Sequence, residues 1–445
     1  MADKVEPRLP RGMRDILPRQ MVLRQYVIDV IRDVFERFGY EPLSTPSVEL
    51  HETLAGKYGP DAERMIYNVS RSGSKEKLAL RYDLSVPLSR VVAMYPELQK
   101  PFKRYQIAPV WRGERPGKGR YREFYQCDVD TVGTASMLAD AELLQITYEL
   151  LNRLGFPQFV MKMNNRKILT GIGQFAGVPG ELLGGLYRSI DKLDKIGLEG
   201  VREELKANDI PDAVAGRLLE LLQISGDDRS LLGELEGRLA EYPTAVEGIG
   251  ELSEILDYLE ALHIPAERYQ VDFSMVRGLD YYTGPIFETV VEEPRIGSIS
   301  GGGRYDELIG MFTDRSYPAT GTSFGIERIF DVMEELHMFP AEVGTANTRV
   351  LVTVFDAARI GDSLRVSDNL RRAGLNTELY FENDPLGAQI RHALKRSIPY
   401  VIIVGPDEAS AGQVTIRYLP LKEQRTVEAA AMIDHLKDWG GMIGT

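Results

Sequence analysis

Between Phe102 and Asp130, two runs rich in aromatic and β-branched residues flank a basic, glycine-containing segment, a composition that predicts two strands joined by a loop. Arg112, Arg115, Lys118, Arg120 and Arg122 put five cations within eleven positions, and Gly113, Gly117 and Gly119 let backbone approach a ligand closely. Such a set suits a polyanion. On the returning run, Phe124, Gln126, Asp128 and Asp130 share one face through the two-residue alternation of a strand. An aromatic plate, an amide and two carboxylates together suit a guest with a flat ring and an amino group. A surface hairpin with a solvated cationic tip uses the same residue types, so this stretch alone leaves both readings open.

Other stretches carry side chains of the same kind. A strand over 78–82 runs into Asp83 and Ser85, and Pro87 fits the first turn of the helix that follows. Asp83 and Ser85 at that junction are either ligand contacts or helix caps. The segment SISGGGRYDELIGMF predicts a strand ending in Gly301, Gly302 and Gly303 at a helix start, where a tight turn is the default reading. Arg328 lies two residues into a helix predicted from about Ile326, a position disfavoured for a cation unless an anion lies opposite. The single cysteine, Cys127, excludes an internal disulfide, and the five histidines show no ligand spacing, so no protein-held metal is expected.

These groups need a large frame. With 445 residues the chain exceeds the size of one hydrophobic core, and two or three domains are expected. Hydrophobic residues at 43% and charged residues at 27% fit an ordinary globular protein. No apolar run is long enough to cross a bilayer and the start MADKVEPRLP lacks a signal-peptide core, so a cytoplasmic location without membrane association is expected. A net charge of −13 argues against indiscriminate nucleic-acid binding. From Thr348 onward there are 12 Lys plus Arg and 12 Asp plus Glu, so the acidic excess lies in the first 347 residues and the tail is electrically distinct.

Along the chain, apolar spacing predicts a helix over about Arg19–Phe38, closed by Gly39. YEPLSTPSVEL reads as a proline-interrupted edge or interface strand. After the central hairpin come a helix over about 136–154, a strand over 159–164, and an acidic helical block over 165–266 whose leucine stripes indicate core packing. Strand character resumes at 269–275 and continues through VRGLDYYTGPIFETVVEE. Beyond a linker, strands and helices alternate to the end, with the last helix over 426–438, which predicts a separate, mostly parallel α/β domain.

Taken together, GYEPLSTPSVEL, WRGERPGKGRYREFYQCDVD and GTSFGIERI resemble, in order, motifs 1, 2 and 3 of the class II aminoacyl-tRNA synthetases. RGLDYYTG at 277–284 and SGGGRYDELIG at 300–310 resemble the two signature peptides of the histidyl-tRNA synthetase family. RYDLSVP and the FYQCDVD arm are similar to the eukaryote- and archaeon-like branch of that family. The resemblance spans essentially the whole chain.

It implies an α+β fold: a class II antiparallel sheet flanked by helices over residues 1–340, containing the helical insertion 165–266, and a C-terminal α/β anticodon-binding domain over 348–445. It implies an ATP-dependent ligase that joins L-histidine to tRNA(His) through a histidyl-adenylate, working as a homodimer, with Mg2+ accompanying ATP. Carried over position by position, Arg112 contacts the α-phosphate, Phe124 stacks on adenine, Glu114 fixes the adenine edge, and Arg328 faces the same ring and the γ-phosphate. Arg277 holds the α-phosphate and the histidine carboxylate during adenylate formation. Asp83, Ser85 and Gln126 hold the α-amino group, while Asp130 and Tyr282, with Tyr281 beside them, read the imidazole. Asp83 and Asp130 replace glutamates of the common bacterial pattern and Ser85 replaces a threonine, shortening the acids by a methylene and keeping the hydroxyl. The competing reading is the synthetase-like regulatory subunit of ATP phosphoribosyltransferase, a histidine-sensing paralogue; the tail and the three arginines Arg112, Arg277 and Arg328 oppose it. A class II enzyme for another amino acid is opposed by RGLDYYTG.

Overall fold

The computed structural model describes residues 5–440, apart from 118, 180–181, 191, 209, 223, 225, 277–280, 341–342 and 344–345. Two compact units separate: Met1–Arg14 with Val27–Met338, and Asp15–Tyr26 with Phe339–Thr445. Among the described residues, no helix is long and apolar enough to cross a membrane.

The strands of the first unit are β1 (Glu41–Pro42), β2 (Val48–Leu50), β3 (Asn68–Val69), β4 (Leu78–Leu80), β5 (Phe102–Trp111), β6 (Glu123–Val132), β7 (Val160–Asn165), β8 (Tyr269–Val271), β9 (Pro285–Val290), β10 (Ser300–Arg304) and β11 (Ala319–Gly325). Eight of them form one sheet in the order β1-β5-β6-β11-β10-β9-β7-β8, and β2, β4 and β3 form a second. The large sheet is antiparallel except at its edges, where β1 pairs with β5 and β7 with β8 in parallel. The stretch expected as one proline-interrupted strand is therefore two strands in two sheets, with Pro42 at the edge where its missing N–H costs no ladder bond.

The hairpin β5–β6 is the longest pairing, in register from Phe102↔Val132 to Trp111↔Glu123. Its alternation separates two buried faces. Cys127 and Val129 turn into the core on one side, where Phe35 of the helix Pro18–Arg37 meets Tyr105 of β5 and Phe324 of β11 with ring centroids 5.7 and 5.9 Å away. Gln126, Asp128 and Asp130 turn the other way. The helix Met137–Arg153, capped by Ser136, sends Asp140 into the sheet, where it is ion-paired with Arg304 of β10 and accepts from Thr320 Oγ1 of β11 at 2.8 Å. Burial pushes the Asp140 carboxyl up to about 6, against the pull of Arg304.

Gly301, Gly302 and Gly303 lie inside β10, not at a helix start. A Cβ on Gly302 would come within 2.1 Å of Gly321 O, and one on Gly303 within 2.5 Å of Pro285 O, so the glycines serve close strand packing. Among the described residues, strand structure after 269 is also shorter than expected, with β8 ending at Val271 and β9 beginning at Pro285. Between β7 and β8 the described residues form helices from Arg166–Ala176 to Pro243–Ala261, the first crossing the last where Gly171 faces Ala245.

The second unit carries β12 (Val350–Val352), β13 (Thr377–Leu379), β14 (Tyr400–Ile403), β15 (Gln413–Tyr418) and β16 (Glu423–Glu428), in the order β13-β12-β14-β15-β16. Only the β12 pairings are parallel, so the sheet is mixed. The helix expected from 426 begins at Met432, because residues 423–428 pair back onto β15 with Val427 alone turned into the core.

Candidate active site

A cavity of about 640 Å³ opens on the face of β6 that carries the polar residues. Ten of the eleven site residues expected from the sequence line it: Asp83, Ser85, Arg112, Glu114, Phe124, Gln126, Asp130, Tyr281, Tyr282 and Arg328. The eleventh, Arg277, lies outside the described residues.

At one end the cavity is rich in acceptors. Of the two roles the sequence left open for Asp83, the hydrogen bonds show the cap-like one: its Oδ1 accepts from Val86 N at 3.1 Å, in the first turn of the helix Ser85–Met94, and also from Tyr58 Oη at 2.9 Å. Its Oδ2 is buried with no partner among the described residues. Gln126 Nε2 donates to Ser323 Oγ at 2.9 Å, which fixes the amide and leaves its buried Oε1 unpartnered. Asp128 is hydrogen-bonded by Ser323 and keeps Oδ1 unpartnered. Tyr305 Oη donates to Asp130 Oδ1 at 2.5 Å, and Arg104 Nη2 lies 2.8 Å from its Oδ2. Gly321 makes this packing possible, since a Cβ there would sit 2.0 Å from Asp130 Oδ1.

Burial raises the carboxyls of Asp83 and Asp130, and it pushes Asp128 up to about 7, where Arg104 opposes the rise and Asp130 adds to it. Three carboxyls share a space in which ionising all of them is costly. Above them the Tyr281 and Tyr282 rings tilt together at 5.0 Å, and hydrogen bonds link Tyr282 to Tyr281 and Tyr281 to Ser85.

The other end is cationic. Arg112 Nε donates to Tyr82 O at 3.1 Å, and its guanidinium sits 4.6 Å from the Tyr82 ring centroid and 5.2 Å from that of Phe124. Arg328 Nη1 donates to Ser298 O at 2.5 Å, its side chain passing beside Gly119 and Gly297, where an added Cβ would touch it. The loop between the hairpin arms is braced as well. Glu114 is ion-paired with Arg120, and its carbonyl accepts from Arg122 Nε at 2.9 Å. Arg14 donates to Tyr121 Oη at 2.8 Å and lies 3.5 Å from Glu327 Oε2, while Glu327 Oε1 accepts from Tyr125 N at 3.0 Å.

Asp128, Ser323, Tyr305 and Glu327 line the cavity beyond the expected set. Asp128 shares the strand face already recognised in the sequence, although the resemblance gives it no ligand role. Ser323 and Tyr305 reach the cavity through the order β6-β11-β10, which no local pattern encodes.

The chain matches a family model described as histidyl-tRNA synthetase over residues 12–329 and one for an anticodon binding domain over residues 350–439. It is 42% identical over 448 residues to the histidine–tRNA ligase of Porphyromonas gingivalis, covering 96% of this chain and 98% of that protein. With the histidine–tRNA ligase of Aeropyrum pernix it shares 42% identity over 436 residues, 97% of this chain and 98% of the other. The crystal structure of histidyl-tRNA synthetase from Nostoc sp. superposes with a TM-score of 0.87 at 32% identity, covering 98% of this chain and all of that one. The motif order, the cavity and these likenesses agree that the chain belongs to the histidyl-tRNA synthetase family, a family of class II aminoacyl-tRNA ligases.

Proposed function

We propose that this chain ligates L-histidine to its tRNA at the expense of ATP, with histidine held at the acceptor-rich end of the cavity and ATP at the arginine end. The observation that carries this reading is the set of buried, unpartnered acceptors at one end, Asp83 Oδ2, Gln126 Oε1 and Asp128 Oδ1. Buried acceptors without donors are costly, and a ligand bringing an ammonium group and a ring N–H would satisfy them.

In this reading Asp83, Ser85 and Gln126 take the α-amino group. Asp130 and Tyr282, backed by Tyr281, read the imidazole, and the position of Asp128 adds it to them. Reading both ring nitrogens with buried polar groups gives discrimination on the order of 10⁴ to 10⁵ against analogues lacking a partner. Phe124 and Arg328 would enclose adenine, with Glu114 at its edge. Arg112 would meet the α-phosphate, and Arg277 the α-phosphate and the histidine carboxylate.

The histidine carboxylate oxygen then attacks the α-phosphorus, the bond to the β-phosphate oxygen breaks, and pyrophosphate leaves. A terminal ribose hydroxyl of tRNA next attacks the acyl carbon and AMP departs. The side chains position the reactants and stabilise charge spreading onto the phosphate, for which the planar, always-charged guanidinium is apt. Mg2+ would enter with ATP. Among the described residues no three of His, Cys, Asp and Glu form a metal-holding group, so its ligands would come chiefly from the phosphates.

The proposal extends to a catalytic domain over 1–340 with its insertion at 165–266, an anticodon-binding domain over 348–445, a homodimer and a cytoplasmic location. The site is tested by Gln126→Ala in histidine-dependent pyrophosphate exchange. Losing one hydrogen bond to a charged group predicts a histidine KM raised roughly 10- to 100-fold with little change in that for ATP. An unchanged histidine KM would move the amino-group subsite elsewhere.

A further inference from the structure

Arg104 does not line the cavity, yet it is the cation its carboxylates share. It stands directly across the ladder from Asp130, in register on β5, and is completely buried. One nitrogen, Nη2, does two things: it lies 2.8 Å from Asp130 Oδ2 and donates to Leu84 O at 3.1 Å. Leu84 is the residue between Asp83 and Ser85. The guanidinium thus ties the strand that carries the ring-facing carboxylates to the main chain that carries the groups assigned to the ammonium. Nε and Nη1 are buried without a hydrogen-bond partner among the described residues. A guanidinium that leaves two donors unused is poorly placed for a purely structural bridge, for which an apolar pair of similar volume would serve.

Resting on the histidine subsite proposed above, we infer that Arg104 is a positioning residue for histidine: it fixes the spacing between Asp130 and the Asp83–Ser85 segment and supplies the buried positive charge that Asp83, Asp128 and Asp130 share. The charged and titratable groups facing the Asp128 and Asp130 pair are Arg104 from β5, Asp83 and Arg81 from the segment after β4, Tyr282, Tyr305 after β10, and Tyr40. Among the charges acting on each carboxyl of the pair, that of Arg104 is the largest. Its removal raises the carboxyls further, so the acidic limb of the pH profile must move to higher pH.

The test compares Arg104→Met, Arg104→Lys and Gln126→Ala in pyrophosphate exchange, with thermal melting to establish folding. For Arg104→Met the expected result is a histidine KM raised roughly 10- to 100-fold by lost geometry, with the ATP KM changed less than about twofold. The acidic limb of kcat/KM for histidine should move up by at least about 1 pH unit. Arg104→Lys should restore the limb while leaving the histidine KM raised, because it keeps the charge without the fork. Equal rises in both KM values, or no movement of the limb, would overturn the role of Arg104. Should Arg104→Met not fold, Arg104→Lys decides alone through its selective effect on histidine, and failure of both to fold would assign Arg104 to the core. An unchanged histidine KM in Gln126→Ala would instead overturn the underlying subsite.

Discussion

Asp128 illustrates a residue whose burial works against stability. Its carboxyl is near 3.8 in an ordinary setting and about 7 in the fold, so the folded chain holds its proton more tightly than the unfolded chain does. Between those values the folded state binds more protons, and stability falls as pH rises from about 4 to about 7, by an amount on the order of a few kcal/mol. Asp128→Asn removes the charge and with it this loss. Its melting temperature should exceed that of the unsubstituted chain at pH 8 and lose that advantage near pH 4; the same difference at both pH values would show that the Asp128 charge does not destabilise the fold. The cost of keeping the carboxylate is offset only if a ligand uses it, so the same variant should raise the histidine KM. Tyr282→Phe should likewise lose discrimination for the imidazole, measured as exchange with histidine analogues, and unchanged selectivity would show that the ring is read elsewhere.

At the scale of elements, what brings the carboxylates into one cavity is close strand packing. Gly321→Ala puts a methyl at 2.0 Å from Asp130 Oδ1. The expected result is about 1–3 kcal/mol of destabilisation in denaturant melts, together with a raised histidine KM. Gly250→Ala, at a helix position with nothing within 4 Å, should be neutral or slightly stabilising and serves as the control. The hairpin β5–β6 and the shared face of Phe124, Gln126, Asp128 and Asp130 were legible in the sequence because strand alternation is a local property. The purpose of Gly302 was not, since its reason is the approach of Gly321 from β11, a neighbour set by strand order. The same limit hid β16: EQRTVE has one buried residue, Val427, and only its pairing with β15 makes it a strand. Arg104 is a further case, because its meaning depends on facing Asp130 across the ladder.

At the scale of the whole molecule the chain forms two compact units, and the even charge from Thr348 onward against the acidity of the rest was visible in the residue counts. The second unit presents Phe381 at 89% exposure two residues beyond β13, an aromatic face of the kind on which unpaired bases stack. Phe381→Ala should weaken tRNA charging through tRNA affinity, by roughly 1–3 kcal/mol if a base stacks there, and leave pyrophosphate exchange unchanged. A parallel loss in both assays would count against separate tasks. The order of the motifs identified the family from the sequence, whereas the cavity needs stretches from Asp83 to Arg328, brought together by the sheet. Whether this cavity activates histidine with ATP is measured by amino-acid-dependent exchange of labelled pyrophosphate into ATP by the purified chain. Exchange with histidine and with no other protein amino acid is the predicted result; no exchange with histidine, or equal exchange with another amino acid, would contradict it.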